Sequence, residues 1–334
     1  MFSVPEVRMP NEIRPLPVIL TPGVGESGPS FLLRVAQSNG LALKVMLGWL
    51  GISSLQTLTP MMIRSLAYAT EAPDAWLQKN LVLWMRRDRF FSAEWLGHHW
   101  SSSLSLRGTH PQICPDCLRE EGSCQSAWEM TGQFGCTRHG RLLTDRCSHC
   151  GTALTWMRPA VDVCTCGRYL TAASRTQPID PDAACWLDLL GARLQSPEQV
   201  GLASREIVPW LAHLSPDGAF TVVYAAGVRV HPNTRVPLSS RVNLSPSTVA
   251  EIVGRGVQRL REEPVGEKSC SERFRGLVYE QALERLNTRG EAEADRCIAG
   301  ELLSWVGSTP RRGLSLTGRR PLGQLDLFSA GGLK

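Results

Sequence analysis

The residues of this sequence best suited to chemistry are four closely spaced pairs of potential metal ligands. They are Cys114 and Cys117, Cys136 and His139, Cys147 and Cys150, and Cys164 and Cys166. Thiolate sulfur and imidazole nitrogen are the usual ligands of structural zinc, which binds four of them in a tetrahedron. One such pair can arise by chance, but four spaced pairs in one short stretch predict metal binding.

The simplest assignment is sequential: the first four residues hold one zinc ion and the last four hold a second. An interleaved, cross-brace assignment is the alternative, and His149, between Cys147 and Cys150, is an alternative ligand for the second ion. Because the protein supplies four ligands to each ion, no position is left for water or substrate. The pattern therefore predicts two structural zinc ions and no catalytic one.

A disulfide framework is the other interpretation of these cysteines, and it requires an oxidising compartment. The first residues, Met-Phe-Ser-Val-Pro-Glu, lack the charged and apolar regions of a signal peptide. We therefore expect a cytoplasmic protein whose thiols stay reduced and bind metal.

Composition limits the class of protein. The chain has 334 residues, which predicts two or three domains. Its hydrophobic fraction of 43% and charged fraction of 20% are those of a globular protein, and its net charge of +5 is compatible with a nucleic-acid partner.

No apolar run is long enough to span a bilayer, so no membrane partner is expected. The sequence contains no HExxH motif, no zinc-deaminase signature and no phosphate-binding loop, and we expect no enzymatic activity.

Short helices separated by tight turns are expected before the cysteines. Residues 1–22 contain five prolines and predict an extended arm. Residues 23–28 fit the dinucleotide fingerprint GxGxxG, but the prolines before them break up the strand that it needs. They predict a turn into a helix near Pro29 instead. Further helices are expected at 41–50 and from Thr59, so residues 23–105 are typical of a helix-turn-helix-like domain.

A dense basic patch follows these helices and is formed by Arg86, Arg87 and Arg89. The common interpretation of such a patch is a helix face exposed to solvent. The alternative is contact with nucleic-acid phosphates, because a few arginines bind the backbone without specifying sequence.

The order of these features resembles the TniQ/TnsD family, the target-selection proteins of transposons with DDE transposases. The resemblance covers roughly residues 12–170, and the zinc motifs with their flanking Pro, Trp and Gly residues are its specific part. The motifs are Arg14-Pro15-Leu16-Pro17, Gly25-Glu26-Ser27, Phe31-Leu32-Leu33-Arg34, His110-Pro111-Gln112-Ile113-Cys114-Pro115, Trp128, Cys136-Thr137-Arg138-His139-Gly140, Cys147-Ser148-His149-Cys150-Gly151 and Cys164-Thr165-Cys166-Gly167.

The resemblance implies a mainly α fold with small zinc-ribbon β elements. Its parts are an N-terminal helix-turn-helix domain, a tandem zinc-finger region at 106–170 and a helical C-terminal domain at 171–307. It also implies a bacterial adaptor that marks a DNA target and recruits the AAA+ ATPase of its transposon. Some relatives read DNA themselves, whereas others sit as homodimers on a Cascade-type RNA-guided complex of CRISPR-associated transposons. The alternative is a zinc-containing helix-turn-helix transcription regulator that reads a fixed operator.

The region after the cysteines predicts helices near 186–194, 210–214, 274–286 and 291–305, whereas residues 219–242 show no clear pattern. The most regular helix is expected from Ser245 onward, with its apolar residues at helical spacing. Arg255, Arg259 and Arg261 lie on the polar face of that helix, where they face either solvent or phosphates.

The last segment, residues 308–334, is rich in Arg, Gly, Ser and Pro and is expected to be disordered. It contains the pentapeptide Gln324-Leu325-Asp326-Leu327-Phe328. This pentapeptide resembles the motif by which bacterial polymerases and repair proteins bind the β sliding clamp. Three apolar side chains would enter a groove of the clamp, and Gln324 would fix the orientation by hydrogen bonds. The alternative is a chance apolar patch or a segment that packs on its own domain.

Overall fold

The computed structural model describes residues 13–87, 90–172, 176–195, 208–234, 236, 244–263 and 271–307. Within these residues the chain forms eleven α-helices and five short strands. The expected mainly α fold with small β elements is therefore confirmed. Two compact units divide between Ile179 and Asp180. No helix among the described residues combines the length and the hydropathy that a membrane span requires.

The first unit begins with four helices, α1 (Gly28–Ser38), α2 (Leu43–Trp49), α3 (Pro60–Thr70) and α4 (Asp74–Asn80). Capping side chains start α1 and α3: the Ser27 hydroxyl accepts from the amide of Ser30 at 3.3 Å, and the Thr59 hydroxyl accepts from that of Met62 at 3.3 Å. In both helices the cap is followed by a proline at the helix start. The predicted starts of α1 and α3 are confirmed.

The segment before α1 lies against these helices from residue 13 onward. Leu16 is buried, and its amide donates to the carbonyl of Ala69 at 2.8 Å. Gly25 has a φ of +69°, so the GxGxxG match is a turn leading into α1, as expected. Residues 1–12 of the predicted arm lie outside the described residues.

A three-stranded antiparallel sheet follows α4, with β1 (Leu83–Arg87), β2 (Phe90–Trp95) and β3 (His98–Trp100) in sequence order. Leu96 and Gly97 both have positive φ values, of 53° and 78°, which suits a two-residue hairpin turn. The interpretation of Arg86 and Arg87 as part of a helix face is wrong, because both lie in β1. The apolar run Leu83-Trp84-Met85 followed by two arginines has no polar–apolar alternation, so the sequence did not indicate this strand.

The cysteine-rich part of the first unit contains α5 (Pro115–Glu121) and a two-stranded ribbon of β4 (Gly135–Cys136) and β5 (Arg141–Leu142). Its buried residues join those of α1–α4 in one hydrophobic core. The core therefore includes the cysteines at positions 114, 117, 124, 136, 147 and 164.

The second unit consists of α6 (Pro181–Gln195), α7 (Pro216–Gly227), α8 (Pro246–Glu262), α9 (Glu272–Leu277), α10 (Glu280–Arg289) and α11 (Glu293–Val306). The predicted helix from Ser245 is confirmed as α8. The helix expected at 274–286 is two helices, because the chain is extended at Val278. α7 had no sequence signal, since every one of its residues is buried and no apolar period results.

α7 and α8 cross in backbone contact. A Cβ atom at Gly227 would lie 1.9 Å from the carbonyl oxygen of Ile252, and one at Gly256 would lie 2.2 Å from that of Val223. Only glycine permits this approach at either position. The C-terminal end of α7 is thereby brought against the middle of α8.

The domain boundaries proposed from the sequence, 1–22, 23–105, 106–170, 171–307 and 308–334, stay a prediction. The last of these segments lies outside the described residues.

Candidate metal centres

The first site is formed by Cys114, Cys117, Cys136 and His139, whose ligand atoms all lie within 4.8 Å of one another. Cys114 precedes α5 directly, and Cys117 lies in the first turn of that helix. Cys136 ends β4, and His139 lies in the turn between β4 and β5. A helix start and a hairpin thus each present one pair of ligands to the same point.

The spacing of these atoms fits zinc. Zinc–sulfur bonds of about 2.3 Å in a tetrahedron place neighbouring ligand atoms roughly 3.5–3.8 Å apart. The Sγ atoms of Cys117 and Cys136 are 3.5 Å apart, and the Nδ1 atom of His139 lies 3.4 Å from the Sγ of Cys114. Sulfur with one imidazole nitrogen is a donor set that zinc prefers.

A carboxylate supports the histidine of the first site. The Nδ1 atom of His139 faces the three sulfurs, while its Nε2 atom lies 3.1 Å from Oε1 of Glu120. An Nε2–H donated to Glu120 leaves Nδ1 unprotonated and able to bind metal. Glu120 in turn pairs with Arg138 at 2.7 Å, which fixes its orientation.

The thiols of the first site influence each other's protonation. Hydrogen bonding with Cys114 is the main cause that raises the pKa of Cys136 to about 11, and it also raises the pKa of Cys117. The same bonds lower the pKa of Cys114. One thiolate is therefore favoured at neutral pH, and a bound cation has to displace the remaining protons.

The second site is formed by Cys147, Cys150, Cys164 and Cys166. The Sγ atoms of Cys147 and Cys166 lie 3.9 Å apart, and those of Cys150 and Cys164 lie 3.8 Å apart. These distances again suit a zinc tetrahedron. The eight residues are thus grouped sequentially and not as a cross-brace. His149 is exposed and is not part of the cluster.

Tight turns form both halves of the second site. The amide of Gly151 donates to the carbonyl of Cys147 at 2.9 Å, and that of Gly167 donates to Cys164 at 2.9 Å. The two glycines have φ values of +71° and +82°, a conformation that residues with a side chain rarely adopt. The glycine after each cysteine pair therefore lets the chain turn back around the site.

A buried ion pair, not predicted from the sequence, holds the motif Gly25-Glu26-Ser27. The carboxylate of Glu26 is fully buried and accepts from Arg34 at 2.9 Å and from the Ser30 hydroxyl at 3.0 Å. The Ser30 hydroxyl itself accepts from the amide of Cys124 at 2.9 Å. Glu26 and Ser30 therefore connect the start of α1 to the chain just after α5.

A second buried charge, also not predicted, lies in the loop between Cys150 and Cys164. The Arg158 guanidinium is buried and donates to the carbonyls of Thr155, Ala160 and Val161 at 2.9–3.1 Å. Burial lowers the pKa of Arg158. This arginine closes the loop that presents the second half of the second site.

The predicted nucleic-acid and clamp residues stay predictions. Arg86 is exposed in β1. Arg87 lies in the same strand, and its side chain, like Arg89, lies outside the described part of the chain. The pentapeptide Gln324–Phe328 also lies outside it.

The chain was compared with known protein families. The TniQ family model matches residues 17–143. That range contains α1–α5 and the first site, and it ends before the second site. No curated protein matches the chain.

Proposed function

We propose that the chain is a transposition adaptor that selects the target site of a transposon, because residues 17–143 match the TniQ family model. In this proposal it binds target DNA, or a recognition complex already bound to DNA, and recruits the AAA+ ATPase of the transposon. The family match is the observation that carries the proposal. The chain supplies recognition, and the catalytic steps belong to its partners.

The two cysteine clusters are proposed to hold one structural zinc ion each. Support comes from the ligand spacing in both sites and from the carboxylate of Glu120 behind His139. Zinc with four protein ligands supplies no vacant position for chemistry, so its contribution is to the folding of the first unit. The ligands join α5, the ribbon of β4 and β5 and the following loop.

Recruitment of the ATPase is the step that tests the proposal. Immobilised target DNA is incubated with the AAA+ ATPase, with and without the zinc-loaded full-length chain. We expect the ATPase to accumulate on the DNA only when the chain is present. Equal accumulation without the chain would contradict the adaptor role.

The same experiment separates the proposal from a transcription regulator. A regulator protects one short operator tightly and needs no ATPase, whereas an adaptor gives a weak or sequence-independent footprint until its partners are added. Adding a Cascade-type complex or leaving it out shows whether the target is read directly or through guide RNA. Measuring the mass of the chain in solution tests for a homodimer.

Direct DNA contact is proposed for Arg86 and Arg87 of β1 and for Arg89, which follows them in the sequence. Arg86 is exposed, and the sequence places Arg87 and Arg89 beside it. An Arg86→Ala/Arg89→Ala variant should bind DNA more weakly at every sequence, because phosphate contacts are independent of the bases. Unchanged affinity at low salt would exclude this contact.

Binding to the β sliding clamp is proposed for the pentapeptide near the C-terminus. A variant with Gln324, Leu327 and Phe328 changed to alanine should lose clamp binding while its zinc content stays the same. Arg319→Ala/Arg320→Ala is the matched control, because it removes charge just upstream and leaves the apolar side chains. Clamp binding that survives the triple change would make the sequence match a coincidence.

A further inference from the structure

The second unit contains a cavity of 220 Å³ lined by α8, α9 and the two adjoining residues Glu263 and Ser271. Three arginines line this cavity: Arg255 and Arg259, one turn apart on α8, and Arg273 on α9. Phe274 and Leu277 provide the apolar part of the lining and are themselves buried. The cavity therefore combines three guanidinium groups with a packed apolar base.

The crossing of α7 and α8 holds two of these arginines in place. The Nη1 atom of Arg259 donates to the carbonyls of Ala226 and Arg229 at 2.7 and 2.8 Å, and the Nε atom of Arg255 donates to that of Gly227 at 3.1 Å. Carbonyl oxygens at the end of a helix orient a guanidinium group, but they do not cancel its charge. Both arginines are thus positioned without being neutralised.

Two acidic side chains, Glu262 and Glu263, also line the cavity, and each accepts a hydrogen bond from a group other than the three arginines. Glu262 accepts from the side-chain amide of Gln258 at 2.8 Å, and Glu263 accepts from the amide of Ser271 at 3.0 Å. Glu251, which is 71% exposed, approaches Arg255 at 3.7 Å, too far for a strong ion pair. Three arginines and two glutamates line the cavity, so its lining carries one net positive charge.

Arg261 provides an internal comparison on the same helix. It forms an ion pair with Asp182 of α6 at 2.9 Å. Arg273, in contrast, is exposed and has no hydrogen bond or ion pair among the residues that the structure describes. Burial, followed by repulsion from Arg255 and Arg273, lowers the pKa of Arg259, which agrees with three like charges held close together.

We propose that Arg255, Arg259 and Arg273 form a phosphate-binding site between α8 and α9. Guanidinium groups recognise phosphate through paired N–H donors, and the one net positive charge of the lining matches the single negative charge of a phosphodiester or a phosphate monoanion. The phosphate is either part of a DNA backbone or part of a free phosphate compound. The DNA source rests on the proposed function, whereas the site itself does not.

The direct test uses inorganic phosphate and the zinc-loaded full-length protein in isothermal titration calorimetry. An Arg255→Ala/Arg273→Ala variant removes two of the three charges and keeps Arg259, which makes two of the three arginine hydrogen bonds to carbonyls at and just after the end of α7. Arg275→Ala is the matched control, because Arg275 is exposed on the same helix and does not line the cavity. We expect phosphate binding in the wild type and the control and its loss in the double variant. No binding by the wild type, or equal binding by the double variant, overturns the proposal.

Duplex DNA identifies the source of the phosphate. If it is the DNA backbone, the double variant should bind duplex DNA more weakly than the control, and the slope of log affinity against log salt should fall by about two. Equal DNA binding by both variants, with phosphate binding lost in the double variant, assigns the site to a free phosphate compound. Failure of ATPase recruitment would contradict the proposed function and leave the phosphate measurement unaffected.

Discussion

The two cysteine clusters have four ligands each but differ in burial. In the first site Cys114, Cys117 and Cys136 are 2–4% exposed. In the second site Cys147 and Cys164 are equally buried, but Cys150 and Cys166 are exposed. The first site therefore belongs to the interior of its unit, whereas half of the second faces solvent. Similar spacing of the cysteines in sequence thus does not imply similar exposure of their side chains.

The ligand sets differ in charge as well. Three thiolates and a neutral histidine leave a divalent zinc site with one net negative charge, and four thiolates leave two. His139 of the first site also has the carboxylate of Glu120 behind it, 3.1 Å away. The first site combines burial with a supporting residue, and the second depends on turns in the loop. We expect the first site to contribute more to the stability of the first unit. We expect the cysteines of the second site to react more readily.

The largest effect should come from Cys117→Ser. This change removes a buried ligand from the first site, and the binding free energy of a structural zinc ion, about 10–16 kcal/mol in zinc-finger peptides, is available only to the folded chain. We expect one zinc ion to be lost and the cooperative unfolding of the first unit to disappear. Metal analysis and thermal unfolding followed by circular dichroism measure both. A variant with two ions and an unchanged midpoint would show that the site is not structural.

Cys166→Ser should have a smaller effect, because Cys166 is exposed and the core beneath it remains. We expect the loss of one zinc ion and a destabilisation of about 2 kcal/mol, which is roughly 4–8 °C for a unit of this size. The same two measurements apply. If Cys166→Ser destabilises the chain as much as Cys117→Ser does, the two sites do not differ in their contribution to stability.

Glu120→Gln should weaken zinc at the first site only. Losing the carboxylate partner of a histidine ligand typically costs about 10–100-fold in metal affinity. Competition with a chromophoric chelator should show one weakened ion and one unchanged. Glu121→Gln is the control, since Glu121 pairs with Arg138 and does not contact His139. Equal weakening in both variants would mean that loss of surface charge, and not support of His139, is the cause.

The smallest effect concerns reactivity in the Cys166→Ser background. Hydrogen bonding with Thr152 is the main cause that lowers the pKa of Cys150 to about 6, whereas burial raises the pKa of Cys124 to about 11. Because Thr152 is retained in this variant, the pKa of Cys150 stays below that of an ordinary thiol, whereas the Cys124 thiol stays protonated at neutral pH. Alkylation by iodoacetamide across a pH series, read by mass spectrometry, should label Cys150 first and Cys124 last. Labelling of Cys124 at the same rate would show that the core opens in this variant.

The metal-site geometry could be predicted from the sequence because its determinants are local. Each ligand pair is separated by no more than two residues, and tight turns bring its members together whatever the remaining fold is. The starts of α3 and α8 were predictable for a similar reason, since Thr59 and Ser245 are each followed directly by proline. Local signals of this kind can be recognised in the sequence without knowledge of tertiary contacts.

The features that were missed depend on distant partners. The sheet of β1–β3 is held by aromatic residues such as Trp95 and Trp100, whose rings lie 5.5 Å apart in the core. α7 is buried on every side, so its sequence has no polar face to give a helical period. The buried charges of Glu26 and Arg158 meet neighbours that the sequence does not mark as partners. Whether such residues are buried, and which distant residues they pair with, depends on the assembled core and is not marked in the sequence around them.

The contacts of Glu26 and Ser30 also impose an order on folding during synthesis. Ser30 receives its hydrogen bond from the amide of Cys124, 94 residues later, and the backbone carbonyl of Glu26 accepts from Ser126, 100 residues later. At a synthesis rate of roughly 5–20 residues per second, these partners follow α1 by roughly 5–20 seconds. During that interval the core that buries the apolar face of α1 and the carboxylate of Glu26 is incomplete. The N-terminal helices of the nascent chain therefore reach their final packing only after the first cysteine pair has left the ribosome.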